Sequence, residues 1–212
     1  MTMSEWDKMQ DGKVYNDFDQ DLFNRRVKAK KLFRAYNQTE DQEVEKRNEI
    51  MRKLFKSVGE NVWIEPDFRC EFGKNITIGN DVYINFGCVI LDCGQIHIGD
   101  NTLIGPNVGI FSGNHATDPG ERAEGGLIPK PVTIGKRVWI CGNVSIVPGV
   151  SIGDGSIIGA GSVVTHDIPS GVVAAGNPCR VLRKITEKDK IGYPSTEGNV
   201  YTENAGAMEK QN

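Results

Sequence analysis

Three histidines, His97, His115 and His166, are the only side chains in this sequence whose unperturbed pKa puts a proton exchange close to neutral pH. A three-imidazole zinc centre is the first chemistry such a set suggests, but intervals of 18 and 51 residues do not assemble one. General-base work is the second, and His115 is the candidate, because it lies where the most regular pattern in the chain breaks off. The break is FSGNHATDPGERAEGGLIPKPVTIG, residues 111–135. A loop histidine is by default a solvated side chain, so the elements around it must decide. Cations are sparse downstream, and a small basic cluster is by default a solvated face. No Lys or Arg occurs from 138 to 179, and then Arg180, Arg183 and Lys184 arrive together. Five cysteines (Cys70, Cys88, Cys93, Cys141, Cys179) without CxxC spacing argue against a disulfide framework or zinc ribbon and for reduced thiols in the cytoplasm.

The pattern that breaks off is a six-residue beat. It runs Phe72, Ile78, Ile84, Ile90, slips by two to Ile98, Ile104, Ile110, and resumes after the break at Ile134, Ile140, Ile146, Ile152, Ile158, Val164. Glycine often follows the beat residue, and small or β-branched residues such as Val82, Val108, Val138 and Ser156 stand four positions on. Neither a helix period nor strand alternation gives this spacing. Hexapeptide self-similarity points to a parallel β-helix, three hexads to a coil, with the beat residues stacked in a narrow interior. The break spans 24 residues from Ile110 to Ile134, a multiple of six, so it reads as a loop thrown out from a corner at about 112–133.

Ahead of the beat, residues 19–37 carry Leu22, Val27, Ala29, Leu32, Phe33 and Tyr36 at helical spacing. A second helix is expected from the capping-box pair Thr39 and Gln42 to the cap glycine Gly59. The expected organisation is a helical hairpin over 1–59, the β-helix over 60–185 and a flexible polar tail over 186–212. A net charge of −3 speaks against a nucleic-acid binder, and no stretch is apolar for long enough to span a membrane.

Residues 72–169 resemble the hexapeptide-repeat acyltransferases, which fold as a left-handed parallel β-helix. KMQDGKVY, WIEPDFRCEFGKNITIG, VYINFGCVILD, NHATDP, KPVTIGKRVWICGNVSIVPGVSIGDGSIIGAGSVVT and VVAAGNPCRVLRKI narrow the likeness to the maltose and galactoside O-acetyltransferases, over residues 5 to about 185. That resemblance implies a homotrimer moving an acetyl group from acetyl-CoA to a sugar hydroxyl, with active sites between subunits and no metal.

The resemblance makes His115 the general base and Asn85 a polar partner of the reacting hydroxyl or of the tetrahedral intermediate. Gly142 would turn its N–H to the thioester oxygen, and Trp139 would line the acetyl and pantetheine channel. Ala160 and Thr165 match coenzyme contacts, His166 replaces a lysine common there, and Arg180 and Arg183 would hold the coenzyme phosphates. For the acceptor sugar the likeness points to Asp17, Glu71, Tyr83 and Asp92. Galactoside enzymes carry aspartate at position 93 and serine at 71, where this chain has Cys93 and Glu71; FRCEFG is closer to the maltose type. Rival readings are a xenobiotic or serine O-acetyltransferase on the same scaffold, a γ-type carbonic anhydrase, or a noncatalytic β-helix. A covalent route through Cys93 or Cys141 would be an alternative to direct attack.

Overall fold

A computed structural model describes residues 2–193; the predicted tail beyond 193 lies outside the described residues. From Ser57 onward the chain winds as a parallel β-solenoid of about six coils, each coil contributing one short strand to each of three sheets. Face 1 holds Ser57–Val58, Ile76–Ile78, Ile96–Ile98, Val132–Ile134 and Ser151–Ile152. Face 2 holds Trp63–Ile64, Tyr83–Ile84, Leu103–Ile104, Trp139–Ile140, Ile157–Ile158 and Val172–Ala175, with Arg180–Lys184 added antiparallel at its end. Face 3 holds Arg69–Cys70, Val89–Leu91, Gly109–Phe111, Ser145–Ile146 and Val163–Val164.

The beat residues stack in register, for example Ile84 on Ile104 on Ile140 on Ile158, and each is at most 1% exposed. Full burial of an aliphatic side chain contributes roughly 1.5–3 kcal/mol, so these columns carry the fold. Val82, Val108, Val138 and Ser156 are buried beside them.

Two kinds of residue make the corners possible. At the corner between faces 1 and 2, one residue per coil has a left-handed φ: Asn61 (54°), Asp81 (56°), Asn101 (57°), Arg137 (53°), Gly155 (66°) and Gly171 (68°). Asn, Asp and Gly tolerate that region best, which explains the recurring ND, DN and DG pairs. The glycine directly after the beat has a different reason. A Cβ on Gly99 would lie 2.6 Å from the carbonyl carbon of Gly135 in the next coil, so close approach of backbones excludes a side chain.

The beat differs from expectation at its start. Its first members are Val58, Ile64 and Cys70, in register with Ile78, Ile84 and Ile90. Phe72 is not in the interior. Two extra residues at the corner between faces 3 and 1 carry it outward into a separate cluster with Met9, Tyr15, Leu22, Cys93 and Leu127, where Trp6 meets it edge-on at 5.6 Å. The same corner holds the second slip, Asp92–Cys93, and in the third coil it releases the long excursion. The inserted residues that break the beat are therefore concentrated on one edge.

Helix α1 is Glu5–Gln10, α2 is Gln20–Asn37 and α3 is Val44–Leu54. Helices α2 and α3 form the expected hairpin and close the first coil, burying Ala29, Phe33, Tyr36, Met51 and Leu54 against Ile64, Phe68 and Cys70. Val27 faces outward, 49% exposed. The predicted capping box is absent: the Thr39 hydroxyl donates to the Tyr36 carbonyl at 2.6 Å, closing α2, and Glu43 is the residue that precedes α3. Nor does α3 reach Gly59, because Phe55 turns extended to enter the first strand of face 1. No helix among the described residues is long and apolar enough to cross a membrane.

The excursion is ordered. Gly113–His115 and Gly126–Pro129 form an antiparallel hairpin around a short helix α4, Pro119–Ala123, and Tyr15–Asn16 from the N-terminus adds a third strand.

Candidate active site

Neighbouring strands of that small sheet place Tyr15, Leu127 and His115 in one cross-strand row. Residues directly opposite one another share a face, so the imidazole lies on the same side as the buried Tyr15 and Leu127. His115 remains exposed because its strand is the open edge, and its ring bonds to nothing among the described residues. The strand is seated on Cys93: a Cβ on Gly113 would lie 2.7 Å from the Cys93 Cβ.

Beside this seat the predicted acceptor residues Asp17 and Glu71 come together, joined by a residue that sequence reasoning did not select. Arg26 pairs with both carboxylates, donates to the Asp17 carbonyl at 3.0 Å and lies 5.0 Å over the Phe72 ring. A signal was present, because Arg26 occupies an inward slot in the helical stripe Leu22, Ala29, Phe33, Tyr36. A buried or half-buried cation on such a stripe needs anions, and Asp17 and Glu71 are those anions.

Asp92 does not belong to the acceptor set. It is fully buried and accepts N–H bonds from Glu71 (3.0 Å), Phe72 (2.8 Å) and Asn75 (3.1 Å), so it holds the extra corner residues rather than a ligand. Burial pushes its carboxyl up to about 7, against the downward pull of those N–H groups. The folded chain then keeps a proton that the unfolded chain releases near pH 4, so this group favours the fold at low pH and loses that contribution as pH rises towards 7. Urea unfolding of wild type and Asp92→Asn across pH 4–8 should show this decline in the wild type and a flatter profile in the variant.

Neither candidate thiol, Cys93 here or Cys141 at the far edge of face 3, is activated. Burial, then the charge of Glu71, pushes Cys93 up to about 12, and burial raises Cys141 as well.

The coenzyme candidates stand elsewhere. Along the outer surface of face 2, Tyr83, Leu103, Trp139, Ile157 and Val173 form one column in register, ending at Arg183. Leu103 and Trp139 are each about half exposed. Asn85, Gly142 and Ala160 follow the inward residues Ile84, Ile140 and Ile158, at the edge between faces 2 and 3. The Asn85 Oδ1 accepts from the Phe86 N–H at 2.7 Å, which leaves its amide N–H groups to donate outward. The Gly142 N–H makes no bond among the described residues. Tyr83 donates to Glu65 at 3.1 Å, a second carboxylate that the sequence reading did not select. Arg180 is exposed, while Arg183 is bridged to Asp189 at 2.8 Å.

Thr165 and His166, in mutual contact at 2.9 Å, follow Val164 and so lie on the edge between faces 3 and 1, above the root of the His115 hairpin. The predicted residues thus divide into two groups with face 3 between them. His115, Asp17, Glu71, Thr165 and His166 are on one edge; Asn85, Trp139, Gly142, Ala160, Arg180 and Arg183 belong to the other, and the acceptor candidate Tyr83 stands with these, in the column of Trp139. His97 is with neither, projecting from face 1 beside Thr77 and Thr133.

Known proteins share this sequence and fold over most of their length. Residues 8–59 match the family model of the maltose acetyltransferase hexapeptide capping motif, and residues 131–166 match that of the bacterial transferase hexapeptide. Galactoside O-acetyltransferase of Escherichia coli is 44% identical over 91% of this chain and 95% of its own. A maltose O-acetyltransferase from Clostridium difficile superposes with a TM-score of 0.85 at 47% identity, covering 88% of this chain and 100% of that one. A galactoside acetyltransferase in complex with coenzyme A superposes at 0.84 with 44% identity, over 92% and 97%. By sequence and by fold, this chain belongs to the maltose and galactoside O-acetyltransferases, a family of hexapeptide-repeat acyltransferases.

Proposed function

We propose that this O-acetyltransferase moves the acetyl group of acetyl-CoA to a sugar hydroxyl by direct attack, in a homotrimer whose active sites each draw on two subunits. The observation that supports the shared site is the split just described. Acetyl transfer needs a base, oxyanion donors and a coenzyme channel within a few ångströms of one another, and one chain holds them on separate edges. Rotating a second copy about a three-fold axis can bring the His115 edge of one subunit against the Trp139 edge of the next.

In this reading His115 removes the proton as the acceptor oxygen attacks the thioester carbonyl. The Gly142 N–H and the Asn85 amide hold the tetrahedral oxyanion. Its collapse breaks the carbon–sulfur bond, and the imidazolium returns its proton to the departing coenzyme thiolate. Asp17, Arg26 and Glu71 orient the sugar hydroxyls, and Arg180 and Arg183 meet the coenzyme phosphates, the latter exchanging Asp189 for phosphate. The raised thiols of Cys93 and Cys141 support direct attack over an acyl-enzyme.

Co-expression of His115→Ala with Asn85→Ala chains tests the shared site. In randomly mixed trimers about one site in four receives an intact His115 from one subunit and an intact Asn85 from its neighbour. Activity near a quarter of wild type is expected from the mixture, against almost none from either variant alone; no recovery would place both residues in one chain's site. A thiol-release assay with acetyl-CoA across maltose, glucose, galactosides, serine and chloramphenicol identifies the acceptor, and preference for serine or chloramphenicol would move the enzyme to another branch.

A further inference from the structure

Helix α2 changes character after Arg26. Residues 22–39 contain six basic side chains and no acidic one. Arg25 and Arg26 are paired with Asp21, Asp17 and Glu71, but Lys30 and Arg34 have no ion pair among the described residues. On the neighbouring helix α3, Lys46, Arg47 and Lys53 are bridged to carboxylates, while Arg52 has no ion pair among the described residues. Lys30 and Arg34 stand one helical turn apart on the same face and line a cleft of about 570 Å³ between α2 and the first coil. Arg69 enters the same cleft from face 3, also without an ion pair. Asn37 and Gln38 add polar groups, and Asp67 is the only carboxylate in the lining.

Three cations without ion pairs among the described residues, from two separate elements, face this one cavity. The C-terminal half of a helix favours cations through its dipole, which accounts for Lys30 and Arg34 alone. It does not account for Arg69, which belongs to a strand. Like charges brought together across a cleft repel unless an anion joins them, and two guanidinium forks with an ammonium suit a tetrahedral oxyanion. The cavity is also within the size range of small-molecule sites.

From these observations we infer that the cleft between α2 and the first coil is a binding site for a phosphoryl group, carried by a free inorganic anion such as pyrophosphate or by a phosphorylated sugar. It is not the coenzyme clamp. Arg69 is on the first coil, whereas Arg180–Lys184 lies one strand beyond the last, and six strand steps of about 4.8 Å separate them by roughly 29 Å.

Calorimetric titration of the intact protein at low salt, with pyrophosphate, glucose 6-phosphate and glucose as probes, tests the site. Binding of one phosphorylated probe per chain is expected, with no heat from glucose. Arg34→Gln and Arg69→Gln should each weaken it about tenfold, the value of one charge-assisted hydrogen bond. Arg183→Gln should leave it unchanged. Tighter binding of glucose 6-phosphate than of pyrophosphate would identify a phosphorylated sugar as the source, and the reverse a free inorganic anion. Equal binding by wild type and a Lys30→Gln/Arg34→Gln/Arg69→Gln variant that retains acetyl transfer would overturn the inference, as would loss of binding in Arg183→Gln.

Discussion

Replacing His115 by alanine is expected to lower the turnover of acetyl transfer by about 10²–10⁴-fold at saturating acetyl-CoA and acceptor. The melting temperature should stay where it is, because the ring is exposed, forms no hydrogen bond among the described residues and stands on an edge strand. A rate loss without a stability loss separates a chemical role from a packing one. Some activity should survive, since Gly142 and Asn85 would still stabilise the oxyanion. His97→Ala is the internal control: that imidazole projects from face 1, away from both residue groups, and its removal should leave turnover unchanged. Thiol release followed for the two variants side by side checks the assignment, and equal turnover in both would remove His115 from the chemistry.

The β-helix was legible because its interior admits only one kind of side chain at one spacing. Stacked coils leave a column too narrow for anything but Ile, Val or a smaller residue, so the pattern is written directly into the sequence. Phe72 misled for the same reason, being apolar and six residues before Ile78, although two inserted corner residues take it out of the column. Asp92 looked like a ligand because a carboxylate beside a family motif usually is one; that it serves three backbone N–H groups of the preceding coil depends on stacking, which no local pattern records. The strand Tyr15–Asn16 is two residues long and exists only because the excursion offers it an edge. The division of the site was recoverable in part. Counting hexads in threes from Ile84 puts Asn85, Gly142 and Ala160 at one corner and Thr165 at another, but the partner proposed to bring the corners together is outside a single chain.

Arg47→Ala should destabilise the fold by about 3–5 kcal/mol, the sum of charge-assisted hydrogen bonds, a desolvated cation–π contact and the loss of a buried stem. Arg47 is 2% exposed although it is a guanidinium on a helix of eleven residues. It donates to the Ile64 carbonyl at 2.6 Å and to the Tyr36 hydroxyl at 3.0 Å, and it meets the exposed carboxylate of Asp41 at 2.7 Å. Its plane also lies 4.3 Å over the Trp63 ring. One side chain therefore ties α3, α2 and the first coil together, at the end of the solenoid where no further coil covers the strands. Arg47→Met refills the stem and leaves the Ile64 carbonyl its bond from Tyr36 at 2.7 Å, so it should cost only about 1–2 kcal/mol. Tyr36→Phe combined with Arg47→Met removes both donors and should cost more than the two single changes added. Asp41→Asn, altering a partner already in water, should cost under about 1 kcal/mol. Urea unfolding at one fixed protein concentration, which holds any contribution from association constant, ranks these variants together with the Tyr36→Phe single change. An Arg47→Ala chain within about 1 kcal/mol of wild type would show that the hairpin is held by its apolar face alone.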